Sequence, residues 1–206
     1  DTLKIESKYC YSNKSDFSFC DNNANKNGKN IWMQLILTNS STSPNTNNLR
    51  VNNLVVVNSN KILIYGTFSA GILYIGLNDS IQNSKNKQVG FIAEMDSNGR
   101  CKFLNKIFET KYISGFENLA VDNFGNIFLN FSSNHDTLDL YYSGGKTILV
   151  SNGASNSYVL KYNSDLSKLI WYKQIKRASA SRFFNFEIFK MRIGIDNNLY
   201  LVAELI

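Results

Sequence analysis

Three copies of a strand-rich block run along this chain, and the repeat constrains the fold more than any other feature. Each copy opens on a short apolar strand with an aromatic anchor, at Trp32, Phe103 and Trp171. The anchors lie about 70 residues apart, and self-similarity of this kind predicts one structural unit used in series. The chain is therefore predicted to be built from repeated antiparallel β-units.

A β-hairpin is predicted downstream of each anchor. Its two apolar strands flank a short polar turn, such as Asn123-Phe124-Gly125 in the second copy. Asn, Asp and Gly suit these turns because they tolerate positive φ and their short side chains bond the turn backbone. The three hairpins span residues 54–68, 119–131 and 193–202.

Another strand closes each unit just before the next anchor, at residues 89–96 and 157–163. Each unit is thus predicted to hold four strands, with long polar insertions at 38–53 and 132–143 between them. Residues 183–191 are the one helix candidate, and they read better as a loop leading into a strand because they are rich in Phe and Ile.

The predicted fold class is all-β, with β-propeller-like four-stranded antiparallel blades. After an N-terminal polar segment (1–29), units at 30–99, 100–166 and, partially, 167–206 form an incomplete arc of about two and a half blades. Propellers have about four to eight blades, so a longer polypeptide or further chains are expected to complete it. Otherwise the strand near 199–203 would leave an open edge.

One family has the same pattern of residues. The anchor stretch Trp171 to Ile175, the turn in Val121-Asp122-Asn123-Phe124-Gly125-Asn126-Ile127-Phe128 and the strand Tyr158 to Asn163 resemble the SBBP-type β-propeller repeat, over residues 30–206. The first and third copies depart from the turn pattern. The resemblance implies a propeller used as a binding or structural scaffold, and it carries no catalytic motif.

The formal charge of +6 could favour a polyanionic partner, since summed positive charge steers association. The densest basic stretch holds Lys173, Lys176, Arg177 and Arg182, and it is the candidate binding surface. Charged residues are only 18% of the chain and the lysines are scattered, so a solubilising strand edge is favoured and nucleic acid is not expected as a partner. No apolar stretch has the length of a membrane span.

Cys10 and Cys20 lie close together in the polar N-terminal segment. A disulfide in an oxidising compartment and two free thiols in a cytosolic protein both fit this pattern. A zinc site is disfavoured because the usual ligand spacing is missing. N-glycosylation sequons occur at Asn13, Asn39, Asn78 and Asn130, which is compatible with a secreted route.

No residue pattern predicts catalysis, a metal ion or a cofactor. His135, the only histidine, lies in a polar loop beside Asp136, where a solvated loop is favoured over a catalytic base. Asp96, Asp122 and Asp196 recur at comparable turn positions and could offer oxygen ligands to calcium. Each turn has one carboxylate, so capping of the turn is favoured. Core packing is likewise favoured over ligand stacking for the three aromatic anchors.

These features predict a non-enzymatic structural or protein-interaction module, located outside the cytosol or on the particle of a large virus. Its expected partners are other protein chains, including further blades or copies of itself. A carbohydrate-binding or carbohydrate-active propeller is the alternative, because aromatic residues are 13% of the chain. Polyanion binding through the basic stretch is the second alternative.

Overall fold

A computed structural model shows an all-β chain. Among the residues that it describes there is no helix, so none is long and apolar enough to cross a membrane. The structure describes residues 18–24, 30–39, 49–69, 71–75, 79–83, 87–133, 137–150, 156–175 and 186–205. Side chains are described for all of these residues except 18–24, 30–39, 114–116, 186–187 and 205.

Strands make up most of this described part. In chain order they are β1 (Ser18–Ala24), β2 (Asn30–Asn39), β3 (Leu49–Asn58), β4 (Lys61–Phe68), β5 (Ile72–Ile75), β6 (Asp79–Gln82), β7 (Gln88–Met95), β8 (Cys101–Thr110), β9 (Ile113–Val121), β10 (Ile127–Ser133), β11 (Thr137–Tyr142), β12 (Gly145–Val150), β13 (Asn156–Tyr162), β14 (Leu169–Ile175), β15 (Phe186–Ile193) and β16 (Leu199–Leu205).

The strands form four antiparallel sheets. Sheet 1 has the order β1-β2-β5-β6, and sheet 2 has the order β3-β4-β7-β8-β11-β12. Sheet 3 has the order β9-β10-β13-β14, and sheet 4 is the hairpin β15-β16. The three predicted hairpins are confirmed as β3-β4, β9-β10 and β15-β16, and each closing strand pairs with the next anchor strand as predicted.

Beside the four predicted strands, the first and second repeats each contain a further hairpin that was not predicted. In the second repeat, β11 and β12 form a hairpin that extends sheet 2 beyond β8, and β5 and β6 extend sheet 1 beyond β2 in the same way. Leu138 and Leu140 of β11 are buried between polar neighbours. That alternation lay inside the segment 132–143 that was interpreted as a polar insertion.

The aromatic anchors occupy one equivalent position in three hairpins. In each of the hairpins β1-β2, β7-β8 and β13-β14, a β-bulge lies next to the connecting loop, and the anchor is the first residue paired beyond that bulge. The anchor pairs are Trp32 with Asn23, Phe103 with Glu94, and Trp171 with Lys161. The hairpin β1-β2 is therefore the counterpart of the later two, although β1 lies within the N-terminal segment 1–29.

Three apolar layers separate the four sheets, because successive side chains of a strand point to opposite faces. Layer A lies between sheets 1 and 2, layer B between sheets 2 and 3, and layer C between sheets 3 and 4. On β4, Ile62 and Ile64 enter layer A while Leu63 and Tyr65 enter layer B. Strands β4 and β10 are consequently buried on both faces.

The first strands of sheets 2, 3 and 4 lie near one another across these layers, since β3 lies close to β9 and β9 lies close to β15. The described residues thus form a stack of antiparallel sheets whose initial strands converge. No closed barrel or ring is formed by these sheets. The all-β antiparallel class is confirmed, and the arrangement of the sheets as propeller blades stays a prediction.

Candidate functional site

An exposed apolar surface on β16 is the most distinctive feature of the last sheet. Tyr200 is 54% exposed and Val202 is 62% exposed. Tyr200 corresponds in register to Leu63 on β4 and to Phe128 on β10, which are both buried. In the described structure β16 pairs only with β15, so a position that is interior in two repeats is surface in the third.

A second apolar surface lies on β3, the edge strand of sheet 2. Leu54 is 39% exposed and Val56 is 63% exposed, and both pair with β4 residues that face layer A. Their counterparts on β9 are Leu119, which is 3% exposed, and Val121, which packs on layer B. Strands β3 and β16 therefore present exposed apolar side chains whose counterparts in other repeats pack between sheets.

A polar cluster lies where β3, β4 and β9 converge. Glu117 on β9 is close to Arg50 and accepts a hydrogen bond from the Thr67 hydroxyl, which in turn accepts one from Asn52 Nδ2 at 3.4 Å. Glu117 Oε2 and the Tyr65 hydroxyl are buried and have no hydrogen-bond partner among the described residues. The cluster thus offers two free polar atoms to a water molecule or a small polar group.

Burial raises the pKa of Glu117 from an ordinary 4.5 to about 7, although the charge of Arg50 and the hydrogen bond from Thr67 act in the opposite direction. Burial, with the nearby charges of Glu117 and Tyr162, also raises the pKa of Tyr65 well above its ordinary value. Glu117 can therefore take up or release a proton near neutral pH. No residue pattern indicated this carboxyl group, since its burial depends on the approach of β3 to β9.

A small cleft opens between β8, β11 and the turn before β14, with a volume of about 190 Å³. Tyr141 and Lys106 line it, the Tyr141 hydroxyl donates to Glu109 Oε2 at 2.9 Å, and Lys106 Nζ lies 3.6 Å from the same oxygen. Ligand pockets usually enclose about 300–1,000 Å³, so this cleft is small for an organic ligand. Its polar groups bond one another and tie β11 to β8.

Four turns between strands share one hydrogen-bonding scheme. The turn that begins at Asp122 is closed by a bond from Gly125 N to Asp122 O, and Gly125 has a φ of 80°. The same left-handed position is held by Gly99, Leu166 and Asn197 in the others. A glycine or an asparagine relieves the steric cost there.

The turn aspartates act as caps, as predicted. Asp122 Oδ1 accepts from Phe124 N at 3.0 Å and Asn126 N at 2.8 Å, while Asp122 Oδ2 accepts from Asn126 Nδ2 and from Lys161 Nζ. Asp96 Oδ1 accepts two backbone N–H groups in the same way. The described residues include no group of three or more His, Cys, Asp or Glu side chains placed to hold a metal ion.

Asp196 departs from the position that the sequence pattern assigned to it. The third hairpin turn begins at Gly194, because Gly194 O accepts from Asn197 N, so Asp196 lies two residues later than Asp122 does in its turn. Asp196 nevertheless stabilises the turn, since Asn198 N donates to its Oδ1 and the Tyr200 hydroxyl donates to its Oδ2 at 2.7 Å.

Replacing Asp122 by alanine is expected to lower the free energy of unfolding by about 2–3 kcal/mol, because the carboxylate joins two backbone N–H groups to Lys161 and is itself buried. Urea denaturation of the two proteins measures the difference. Asp165→Ala is the matched control, since exposed Asp165 accepts one backbone bond, from Ser167 N, and its loss should cost clearly less than the loss of Asp122. Equal losses in the two variants would contradict the capping role.

The two aromatic anchors with described side chains pack in the layers, as predicted. Trp171 packs on layer C and meets Phe128 edge to face, with ring centroids 5.9 Å apart. Phe103 packs on layer B. Trp32 lies on β2, whose side chains are not described. The rings of Trp171 and Phe103 therefore contribute to the core rather than to an open stacking platform.

The candidate basic surface is described only in part. Lys173 is exposed on β14, whereas Lys176, Arg177 and Arg182 lie outside the described residues. Whether they form one surface stays a prediction.

Other predicted positions also lie outside the described residues. They are His135, Asn13, Asn78 and Cys10. Cys20 lies on β1 opposite Leu35, and its side chain is not described, so the bridge to Cys10 stays a prediction. Asn130 is fully buried on β10, which makes it unsuitable as a glycosylation site in the folded chain.

Comparisons with known proteins found no matching family model, no similar curated protein and no similar solved structure.

Proposed function

We propose that this chain is a β-propeller-type module that binds other protein chains and catalyses no reaction. Propeller blades are four-stranded antiparallel sheets arranged around an axis, with their faces packed on one another. The series β3-β4-β7-β8 and β9-β10-β13-β14, the apolar layers between sheets, and the convergence of β3, β9 and β15 support this arrangement. Placement on a virus particle or an extracellular surface belongs to the same proposal.

The observation that carries the proposal is the pair of exposed apolar surfaces on β16 and β3. Exposed apolar patches on a protein surface, when they exceed about a few hundred Å², commonly mark interaction sites. Tyr200 and Val202 on β16, and Leu54 and Val56 on β3, are exposed at positions whose counterparts pack between sheets. A partner that covers them would complete the packing that the internal sheets already have.

Two observations make the alternatives weaker. Carbohydrate recognition by the aromatic anchors would need open rings, and the rings of Phe103 and Trp171 are packed against core layers. A polyanion would need free cations, and many described lysines are instead paired with carboxylates. These pairs are Lys61 with Glu94, Lys87 with Asp139, Lys102 with Asp96, Lys106 with Glu109, Lys146 with Asp139, and Lys161 with Asp122.

Cross-linking in the native source tests this function. An amine-reactive reagent of short reach would label the exposed Lys111, Lys168 and Lys173, and mass spectrometry would identify the peptides joined to them. We expect links to other protein chains. Links confined to single chains, in a sample where known complexes are cross-linked, would overturn the interaction role. Specific binding of the folded chain to a glycan array would instead support the carbohydrate alternative.

A further inference from the structure

We propose that one buried water molecule bridges the Tyr65 hydroxyl and the Glu117 carboxyl group, and so joins sheet 2 to sheet 3 within layer B. The site lies where β3, β4 and β9 converge. Such a water goes beyond the proposed function, because it belongs to the interior of the module and not to its exposed surfaces. The register of the strands, two unpartnered polar atoms and the bonding capacity of water support it.

The register of these strands brings four polar side chains to one layer. Tyr65 on β4 lies in layer B, and Thr67, two residues later, points the same way because successive side chains of a strand alternate. Arg50 on β3 pairs with Thr67, so its side chain leaves the sheet on that side too. Glu117 on β9 lies two residues before Leu119, which is also in layer B. The four side chains therefore lie between sheets 2 and 3.

A β-bulge adds a fifth polar side chain to this group. The pairing of β3 with β4 shifts between Val51 and Asn53, so Asn52 is the extra residue of the bulge. Bulges re-aim side chains, and here Asn52 Nδ2 donates to the Thr67 hydroxyl at 3.4 Å. The Thr67 hydroxyl in turn donates to the Glu117 carboxyl group. A series of hydrogen bonds thus runs from β3 through β4 and ends at β9.

Two atoms of the group are buried and have no hydrogen-bond partner among the described residues. They are the Tyr65 hydroxyl oxygen and Glu117 Oε2. Burial raises the pKa of Tyr65 well above its ordinary value, so its hydroxyl is a donor at neutral pH and needs an acceptor. The large majority of buried polar atoms in proteins bond to protein or to ordered water. Glu117 is close enough for its charge to act on Tyr65, yet the two atoms do not bond each other.

Water has the bonding capacity that both atoms need. It can accept from the Tyr65 hydroxyl while it donates to Glu117 Oε2, and it can accept from Glu117 instead when that carboxyl group is protonated. Buried waters typically have about two to four polar partners, which these groups supply. An apolar occupant would leave both atoms unbonded, and the positive charge of Arg50 beside Glu117 disfavours a cation.

Tyr65→Phe distinguishes a bridging water from an unbonded hydroxyl by the sign of its effect on the urea midpoint. If the hydroxyl donates to a water that also bonds Glu117, the substitution breaks the bridge and the midpoint falls, which is the expected result. If the hydroxyl has no partner, the substitution removes a desolvated polar group, and the midpoint stays constant or rises.

Tyr162→Phe is the matched control for this measurement. Tyr162 is fully buried in the same layer, and its hydroxyl donates directly to Tyr141 O at 3.1 Å. Its urea midpoint should therefore fall in either case, and the fall for Tyr65→Phe should be of similar size. Both substitutions keep the aromatic ring, and circular dichroism spectra would confirm that both variants fold.

A high-resolution crystal structure distinguishes a bridging water from a direct bond between the two side chains. We expect one water oxygen within about 3.2 Å of both the Tyr65 hydroxyl and a Glu117 carboxyl oxygen. A direct bond between Tyr65 and Glu117, a bound ion, or no atom between them would overturn the proposal. A constant or higher urea midpoint for Tyr65→Phe, beside a clear fall for Tyr162→Phe, would also reject it. None of these results bears on the proposed function, which cross-linking tests at the exposed surfaces.

Discussion

Replacing Phe131 by alanine is expected to lower the free energy of unfolding by about 3–5 kcal/mol, as for large aromatic residues removed from protein cores. Phe131 is fully buried on β10. Its ring stacks on Phe108 of sheet 2, with centroids 3.9 Å apart, and on Tyr158 of sheet 3 at 5.3 Å. The substitution therefore opens a cavity in layer B, the layer that joins sheets 2 and 3.

Urea denaturation curves of the two proteins would measure this change through their midpoints and slopes. Phe124→Ala is the matched control, because Phe124 is 78% exposed in the turn before β10 and its loss should change stability by about 0.5 kcal/mol or less. Phe131→Leu should lie between these two, since it keeps part of the buried volume. A loss below about 1 kcal/mol for Phe131→Ala would contradict the stacked arrangement of sheets 2 and 3.

A pH-dependent loss of stability is expected from Glu117. The pKa of its carboxyl group is about 7 in the folded chain and 4.5 in an ordinary, solvated setting, so the folded chain binds this proton more tightly than the unfolded one. The stabilising contribution is present below pH 4.5, falls as the pH rises from about 4.5 to about 7, and is absent above that range. At about 1.4 kcal/mol for each pKa unit, the total loss is on the order of 3 kcal/mol.

Glu117→Gln removes the titrating group, so the difference in unfolding free energy between the original chain and the variant should change across this pH window. Unfolding curves at half-unit steps between pH 4.5 and pH 7.5 would measure it. Glu204→Gln is the control with the same change of charge, since Glu204 is exposed on β16. A constant difference between the original chain and Glu117→Gln would show that Glu117 is solvated in the folded protein.

Local patterns were sufficient to predict the hairpins. The turn at 122–126 and its flanking apolar strands are visible in the residues, because turn geometry and strand alternation depend on near neighbours. The equivalence of the three anchors was predicted from their spacing and agrees with the observed register. The same reasoning placed Asp196 at the wrong turn position. A shift of two residues leaves the composition of the turn unchanged, so only the hydrogen bonds reveal it.

The hairpin β11-β12 could have been predicted from the sequence, whereas the burial of Glu117 could not. Leu138 and Leu140 alternate with polar residues in β11, which is the pattern of a half-buried strand. The residues beside Glu117, such as Gly115 and Phe116, form no pattern that marks its carboxyl group as buried. It becomes buried because β3, which is more than fifty residues earlier in the chain, packs beside β9.

An open edge near 199–203 was predicted if no further strands complete the arc, and among the described residues β16 pairs only with β15. The sequence by itself determined the β-units, their order and their turns, because each depends on contacts between residues close in the chain. Only the tertiary structure decided which apolar strands are interior. Leu54 to Val57 and Ile62 to Tyr65 are similar apolar runs, yet Val56 is exposed and Leu63 is buried, because only the second strand has a paired strand on both edges and a sheet on both faces.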